Sequence, residues 1–202
     1  ASPEDFAACL ADPRASGMVI GPAFGTGPHC RETVLALLAA GKPLVLDADA
    51  LTSFEHDPET LFRAIRGPVV MTPHEGEFRR LFREIDPALP RLERARAAAR
   101  LSGAVVLLKG ADTVVATPEG EVYINSHASP ELATAGAGDV LAGTILGLVA
   151  QERQLGLSVA QAAAVAAWLH GEAGLRLGPG LIAEDLPEAY PSILKTIAEP
   201  SR

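Results

Sequence analysis

The chain has 202 residues, 48% of them hydrophobic, which suits one domain of ordinary size with a sizeable core. A net charge of −8 excludes the basic footprint of a nucleic-acid binder, and no run of about 18 apolar residues is available to span a bilayer. Cys9 and Cys30 are too few for a disulfide scaffold, and no signal-peptide pattern opens the sequence, so the expected compartment is a reducing cytoplasm.

Ser2-Pro3-Glu4-Asp5 resembles a helix start, with a short helix over Phe6–Leu10. Met18-Val19-Ile20 reads as a buried strand. Gly21-Pro22-Ala23-Phe24-Gly25-Thr26-Gly27 follows it and leads into a helix at about His29–Ala40. Strand, glycine-rich turn and helix form half of a nucleotide-binding α/β unit, or simply a turn that needs glycine dihedrals. Gly41 is placed to cap the helix. Pro43–Leu51 is the next strand, and Asp47 and Asp49 share a face if it continues to its end. The two carboxylates could hold Mg²⁺ through water, or cap the next turn.

A helix over Asp57–Arg66 and a strand over Val69-Val70-Met71 lead to Thr72-Pro73-His74-Glu75-Gly76-Glu77, where a further helix starts with Thr72 or His74 near its cap. Glu75 and Glu77 suit the dipole of a first turn. Arg79–Ile85 and Arg91–Leu101 read as helical. The arginines at 91, 94, 96 and 100 form a solvated face, and Glu93 is spaced to pair with Arg96. Val105–Leu108 is a buried strand, and Val114–Ala116 with Val122–Ile124 makes a hairpin. Between them lies Lys109-Gly110-Ala111-Asp112-Thr113. Lys109 is a candidate contact for a nucleotide phosphate, with an ordinary turn lysine as the alternative.

Ala133–Thr144 organises the chain. Gly136-Ala137-Gly138 makes a tight loop before an apolar helix over Leu141–Ala150, where small residues let a ligand approach unpaired helix N–H groups. That is an anion site, most often for phosphate. Asp139, in the first turn, is either a helix cap or a general base beside the phosphate. Ser158 caps a long alanine-rich helix to Leu177, with His170 as a core or interface histidine, and a last short helix starts at Ala183–Pro187. Strands alternating with helices give an α/β fold with a largely parallel, doubly wound sheet and one β-hairpin.

In order and spacing, Gly21–Gly25, Thr72–Glu77, Lys109–Thr113 and Ala133–Leu141 resemble the ribokinase-like superfamily. More closely, they resemble the ADP- or ATP-dependent NAD(P)H-hydrate dehydratases, the carbohydrate-kinase-like domain. Thr-Pro-His-x-Gly-Glu is the most specific element, and the likeness runs from Gly17 to the end. It implies a ribokinase-like three-layer αβα fold as a single domain over 1–202. It also implies an N-terminally incomplete one, since such domains carry several dozen more residues before the first glycine motif. Two more departures are Ala23, where the family usually has Gly, and Ala135-Gly136-Ala137-Gly138-Asp139 in place of Gly-Gly-Thr-Gly-Asp.

The resemblance implies that Gly21, Gly25 and His74 lie along the hydrated dinucleotide. Lys109, Gly110, Ala111, Asp112 and Thr113 contact the adenine nucleotide, Gly136, Ala137 and Gly138 its phosphates, and Asp139 the substrate hydroxyl. The implied partners are NAD(P)H hydrate, ADP or ATP as phosphoryl donor, Mg²⁺, and further copies of the chain in a tetramer. The alternatives are a kinase of a sugar or vitamin-precursor alcohol, and a nucleotide-binding protein without catalysis.

Overall fold

The computed structural model describes residue 9 and residues 11–198; the helix expected from Ser2 to Leu10 lies, but for Cys9, outside the described residues. Six strands form one sheet in chain order: β1 (Met18–Ile20), β2 (Leu44–Leu46), β3 (Val69–Met71), β4 (Val105–Leu108), β5 (Thr113–Ala116) and β6 (Val122–Asn125). The first four are parallel, with Ile20 opposite Leu46, Leu46 opposite Met71 and Met71 opposite Val106. The last two return antiparallel as the expected hairpin.

Period-two alternation divides the sheet's side chains between two cores. Leu44, Leu46, Met71 and Val106 face α1 (Pro28–Ala39), α2 (Asp49–Thr52), α3 (Pro58–Ala64), α4 (Glu75–Leu81) and α5 (Arg91–Ser102). Val45, Val70, Leu107 and Val115 face α6 (Ala137–Val149) and α8 (Val159–Leu177), which flank the short α7 (Glu152–Leu155). The helices between parallel strands therefore cover one face, and those after the hairpin cover the other. This is the expected three-layer α/β arrangement. A third cluster joins α6 and α8 to α9 (Asp185–Ala198) through Ala137, Leu169, Leu186 and Ile193. Among the described residues no helix is long and apolar enough to cross a membrane.

Several boundaries differ from the sequence reading, each for a local reason. β2 stops at Leu46. The Asp47 amide bonds Ile20 O at 3.1 Å, Ala48 turns to φ 46°, and Asp49 opens α2. Asp47 and Asp49 therefore do not share a strand face. α4 starts at Glu75 and ends at Leu81, short of Ile85. α6 begins four residues before Leu141, because Gly136 (φ 84°) turns the chain directly into it. α9 is a full 14-residue helix that runs through Pro191. Gly41 (φ 67°) ends α1 in left-handed geometry, as expected, and Gly103 (φ 73°) ends α5 in the same way.

Candidate active site

Parallel strands in register deliver their carboxyl ends to one side of the sheet, where ligands of such folds bind. Here β1 delivers Gly21, β2 Asp47, β3 Thr72–His74 and β4 Lys109. A buried carboxylate requires a partner. Asp47, 2% exposed, receives Lys109 Nζ at 2.7 Å. The Lys109 amide also donates to Pro73 O at 2.9 Å, so the third and fourth strand ends are joined. Lys109 is thus neither a free turn lysine nor solely a ligand contact. Its ammonium lies 3.7 Å from where a side chain on Gly138 would begin, which sets a fixed positive charge beside the start of α6.

That helix start is open. The Ala137 amide is engaged with Thr134 O at 3.4 Å, and the intrahelical ladder begins with Val140 on Gly136 O at 3.1 Å. Among the described residues the Gly138 and Asp139 amides have no partner, so two donors face outward at the positive end of the dipole. The N-cap is Gly136 and no side chain caps the helix, which removes the capping reading of Asp139. Asp139 is exposed.

A cavity of about 740 Å³ opens beside this point. Its walls bring together Lys109–Thr113 with Ala137 and Gly138, which are most of the residues expected to hold a nucleotide. Gly136 stands at the cap just outside. Gly21, Gly25, His74 and Asp139 are not on this wall.

His170 is a buried histidine, as read, and it also lines this wall. The signal was there: Ala167, His170 and Gly171 fall on one helix stripe made of small residues and one ring. His170 is buried, and burial pushes its pKa down to about 4, so the ring is neutral near pH 7. Its Nδ1 lies 3.5 Å from Tyr190 Oη, which is 3.1 Å from Thr144 Oγ1. Thr144 gives its own proton to Val140 O at 2.8 Å, so Tyr190 donates to Thr144 and accepts from His170 Nδ1–H. The Nε2 lone pair is the free acceptor.

The remaining predicted residues lie at the first three strand ends. Gly21 (φ 127°) has no room for a side chain, since a Cβ would stand 1.7 Å from Asp47 O. The Gly25 amide donates to Asp49 Oδ2 at 2.8 Å. His74 is the cap of α4: Nδ1 accepts from the Gly76 and Glu77 amides at 2.9 and 3.3 Å, and Glu77 Oε2 accepts from the His74 amide at 2.8 Å. An accepting Nδ1 leaves the proton on Nε2. Glu75 is ionised and held well below the usual carboxylate range by Arg94, helped by Arg79. Arg91 also reaches it, so Arg91 and Arg94 are not part of a solvated face; Arg96 with Glu93 is.

Among the described residues no three His, Cys, Asp or Glu side chains group as a metal cage. Asp47 and Asp49 are already engaged. This donor set fits Mg²⁺ that arrives on phosphate oxygens and keeps its waters.

A family model described as carbohydrate kinase, NAD(P)H-hydrate dehydratase, matches residues 3–189. The chain is 42% identical over 190 residues to a bifunctional NAD(P)H-hydrate repair enzyme of Moorella thermoacetica, covering 90% of this chain and 35% of that protein. It is 41% identical over 164 residues to an ADP-dependent (S)-NAD(P)H-hydrate dehydratase of Neisseria meningitidis, covering 77% and 53%. The chain thus spans about a third to a half of the length of these curated relatives. The ADP/ATP-dependent NAD(P)H-hydrate dehydratase of Bacillus subtilis, co-crystallised with ATP and Mg²⁺, superposes with a TM-score of 0.77 at 28% identity, covering 95% of this chain and 69% of that one. The open helix start, the strand-end motifs and a match along most of the sequence agree: this chain belongs to the NAD(P)H-hydrate dehydratase family of carbohydrate-kinase type.

Proposed function

We propose that this chain dehydrates the S epimer of hydrated NADH or NADPH with ADP or ATP as phosphoryl donor, releasing AMP or ADP, phosphate and the restored dinucleotide. The observation that carries this reading is the meeting of Lys109 Nζ with the open amides of α6 at the mouth of a nucleotide-sized cavity. Those donors stabilise charge on a transferring phosphoryl group without reorganising. Asp139, on the same helix turn, takes the proton from the C6 hydroxyl of the hydrated ring. The oxygen attacks the terminal phosphorus, and the bond to the nucleotide's bridging oxygen breaks. The ring nitrogen lone pair then expels phosphate from C6, and loss of a C5 proton restores the ring double bond. Lys109 to Thr113 hold the nucleotide, and Gly21, Gly25 and His74 border the dinucleotide. Asp47 and Asp49 would hold Mg²⁺ through water, and the ion would supply neutralisation of phosphate charge.

The test is the dihydronicotinamide absorbance band, followed with protein, hydrated NADH, Mg²⁺ and either nucleotide. Nucleotide-dependent growth of the band is the expected result and identifies the donor. Folded protein that yields a stable phosphorylated alcohol from another substrate, and no such growth, would move the assignment to a kinase.

A further inference from the structure

Arg91 opens α5, on the sheet face away from α6, yet its guanidinium reaches the end of β4. Nη2 donates to Leu108 O at 3.0 Å and also to Lys109 O. Nη1 reaches Glu75 Oε2 at 3.3 Å. Glu75 lies inside Thr72–Glu77, so one side chain ties that motif to the backbone of Lys109. The fit leaves no slack. A Cβ on Gly110 would stand 2.4 Å from Arg91 Nη2 and 2.8 Å from its Cζ.

Arg94, one turn on, provides the contrast. It is bound to the same carboxylate, with its side chain only 11% exposed, but it bonds neither β4 nor the loop after it. If Glu75 needed only charge neutralisation, Arg94 and Arg79 already supply it. What Arg91 adds is a fixed direction for the Leu108 and Lys109 carbonyls. A peptide held at its carbonyl also has its next N–H fixed, because the unit is planar.

We propose that Arg91 is a positioning residue for the nucleotide loop: it holds the Lys109–Gly110 peptide so that the Lys109 side chain and the Gly110–Thr113 backbone are set before nucleotide arrives, and Gly110 is glycine to admit it. This rests on the nucleotide reading of the cavity given above.

The experiment uses the whole chain with Arg91→Met, Arg91→Lys, Arg94→Met and Gly110→Ala, and two readouts. ADP binding is measured by titration calorimetry at a temperature where all variants are folded. Amide exchange of residues 109–113 is measured without nucleotide. Arg91→Met is expected to weaken ADP binding by about tenfold or more, and to speed loop exchange. Arg91→Lys recovers part of the binding, since an ammonium can bond a carbonyl but cannot also bridge to Glu75. Arg94→Met lowers thermal stability at least as much, yet leaves ADP binding within about twofold. Gly110→Ala weakens binding in the parent, but costs little more on top of Arg91→Met, because the two act on one contact.

Unchanged loop exchange in Arg91→Met overturns the proposal, and so does equal loss of ADP affinity in Arg91→Met and Arg94→Met. Parent protein that binds neither ADP nor ATP would sink the proposed function. In that event the exchange readout still decides whether Arg91 sets the loop.

Discussion

Asp139 and His170 illustrate how much a single side chain's neighbours decide. Asp139 has no protein partner among the described residues and lies on an uncapped helix start, so a carboxylate there has little structural work. Asp139→Asn should lower turnover by roughly 10²–10⁴ while leaving ADP affinity within a few-fold, read from steady-state absorbance and calorimetry. Turnover near that of the parent would remove it from the mechanism. His170 makes a different prediction. Its folded pKa of about 4 lies below the unfolded value of 6.5, so the unfolded chain binds the extra proton between these limits. Stability from its neutral burial is therefore full above pH 6.5 and is lost as pH falls toward 4, by on the order of 3 kcal/mol. His170→Gln should flatten the acid limb of a pH–stability curve. An unaltered limb would assign the acid sensitivity elsewhere.

At the scale of elements, β1, β3 and β4 have the bounds read from their apolar runs, because glycine or proline lies close to each end and β3 and β4 are buried on both faces. The elements read less well are those whose ends are set by distant partners. β2 ends where Asp47 meets Lys109, 62 residues away, and no local pattern carries that information. His74 rather than Thr72 caps α4 because its ring reaches the Gly76 and Glu77 amides, a geometry that residue type alone leaves open.

The turn after β1 carries strain that the sequence had marked. Ala23 sits at φ 51°, a left-handed geometry that favours glycine. Left-handed geometry costs alanine roughly 1–2 kcal/mol, and the looser unfolded chain of a glycine variant returns about 0.4–1 kcal/mol. Ala23→Gly is therefore expected to raise the urea midpoint slightly, and a clear fall would mean that the methyl packs usefully. Gly21 permits no such exchange, since a side chain there would strike the Asp47 carbonyl.

For the whole molecule, the four segments on which the resemblance rests come together at one side of the sheet. Their order along the chain was legible, but the ion pair that crosses from β2 to β4 over β3 was not. That pair is asymmetric: Asp47 is 2% exposed and Lys109 is 21% exposed. Lys109→Met strands a buried carboxylate and should cost about 3–5 kcal/mol in denaturant melts. Asp47→Asn should cost less, because the freed ammonium can turn to water. Equal losses would show that the pair is wetter than its geometry implies.

The unbroken strand order also has a consequence for synthesis. Among the described residues, every helix that covers Val45, Val70, Leu107 and Val115 comes after the hairpin, from residue 137 onward. While a ribosome makes residues 11–130, the earlier units close one by one over their own side of the sheet, and among the described residues no helix yet covers the opposite side. At about 5–20 residues per second that apolar surface waits several seconds for α6 and α8 to emerge. Nascent chains stalled near residue 130 should therefore be far more prone to chaperone capture than chains stalled near residue 180, although both contain the six strands described above.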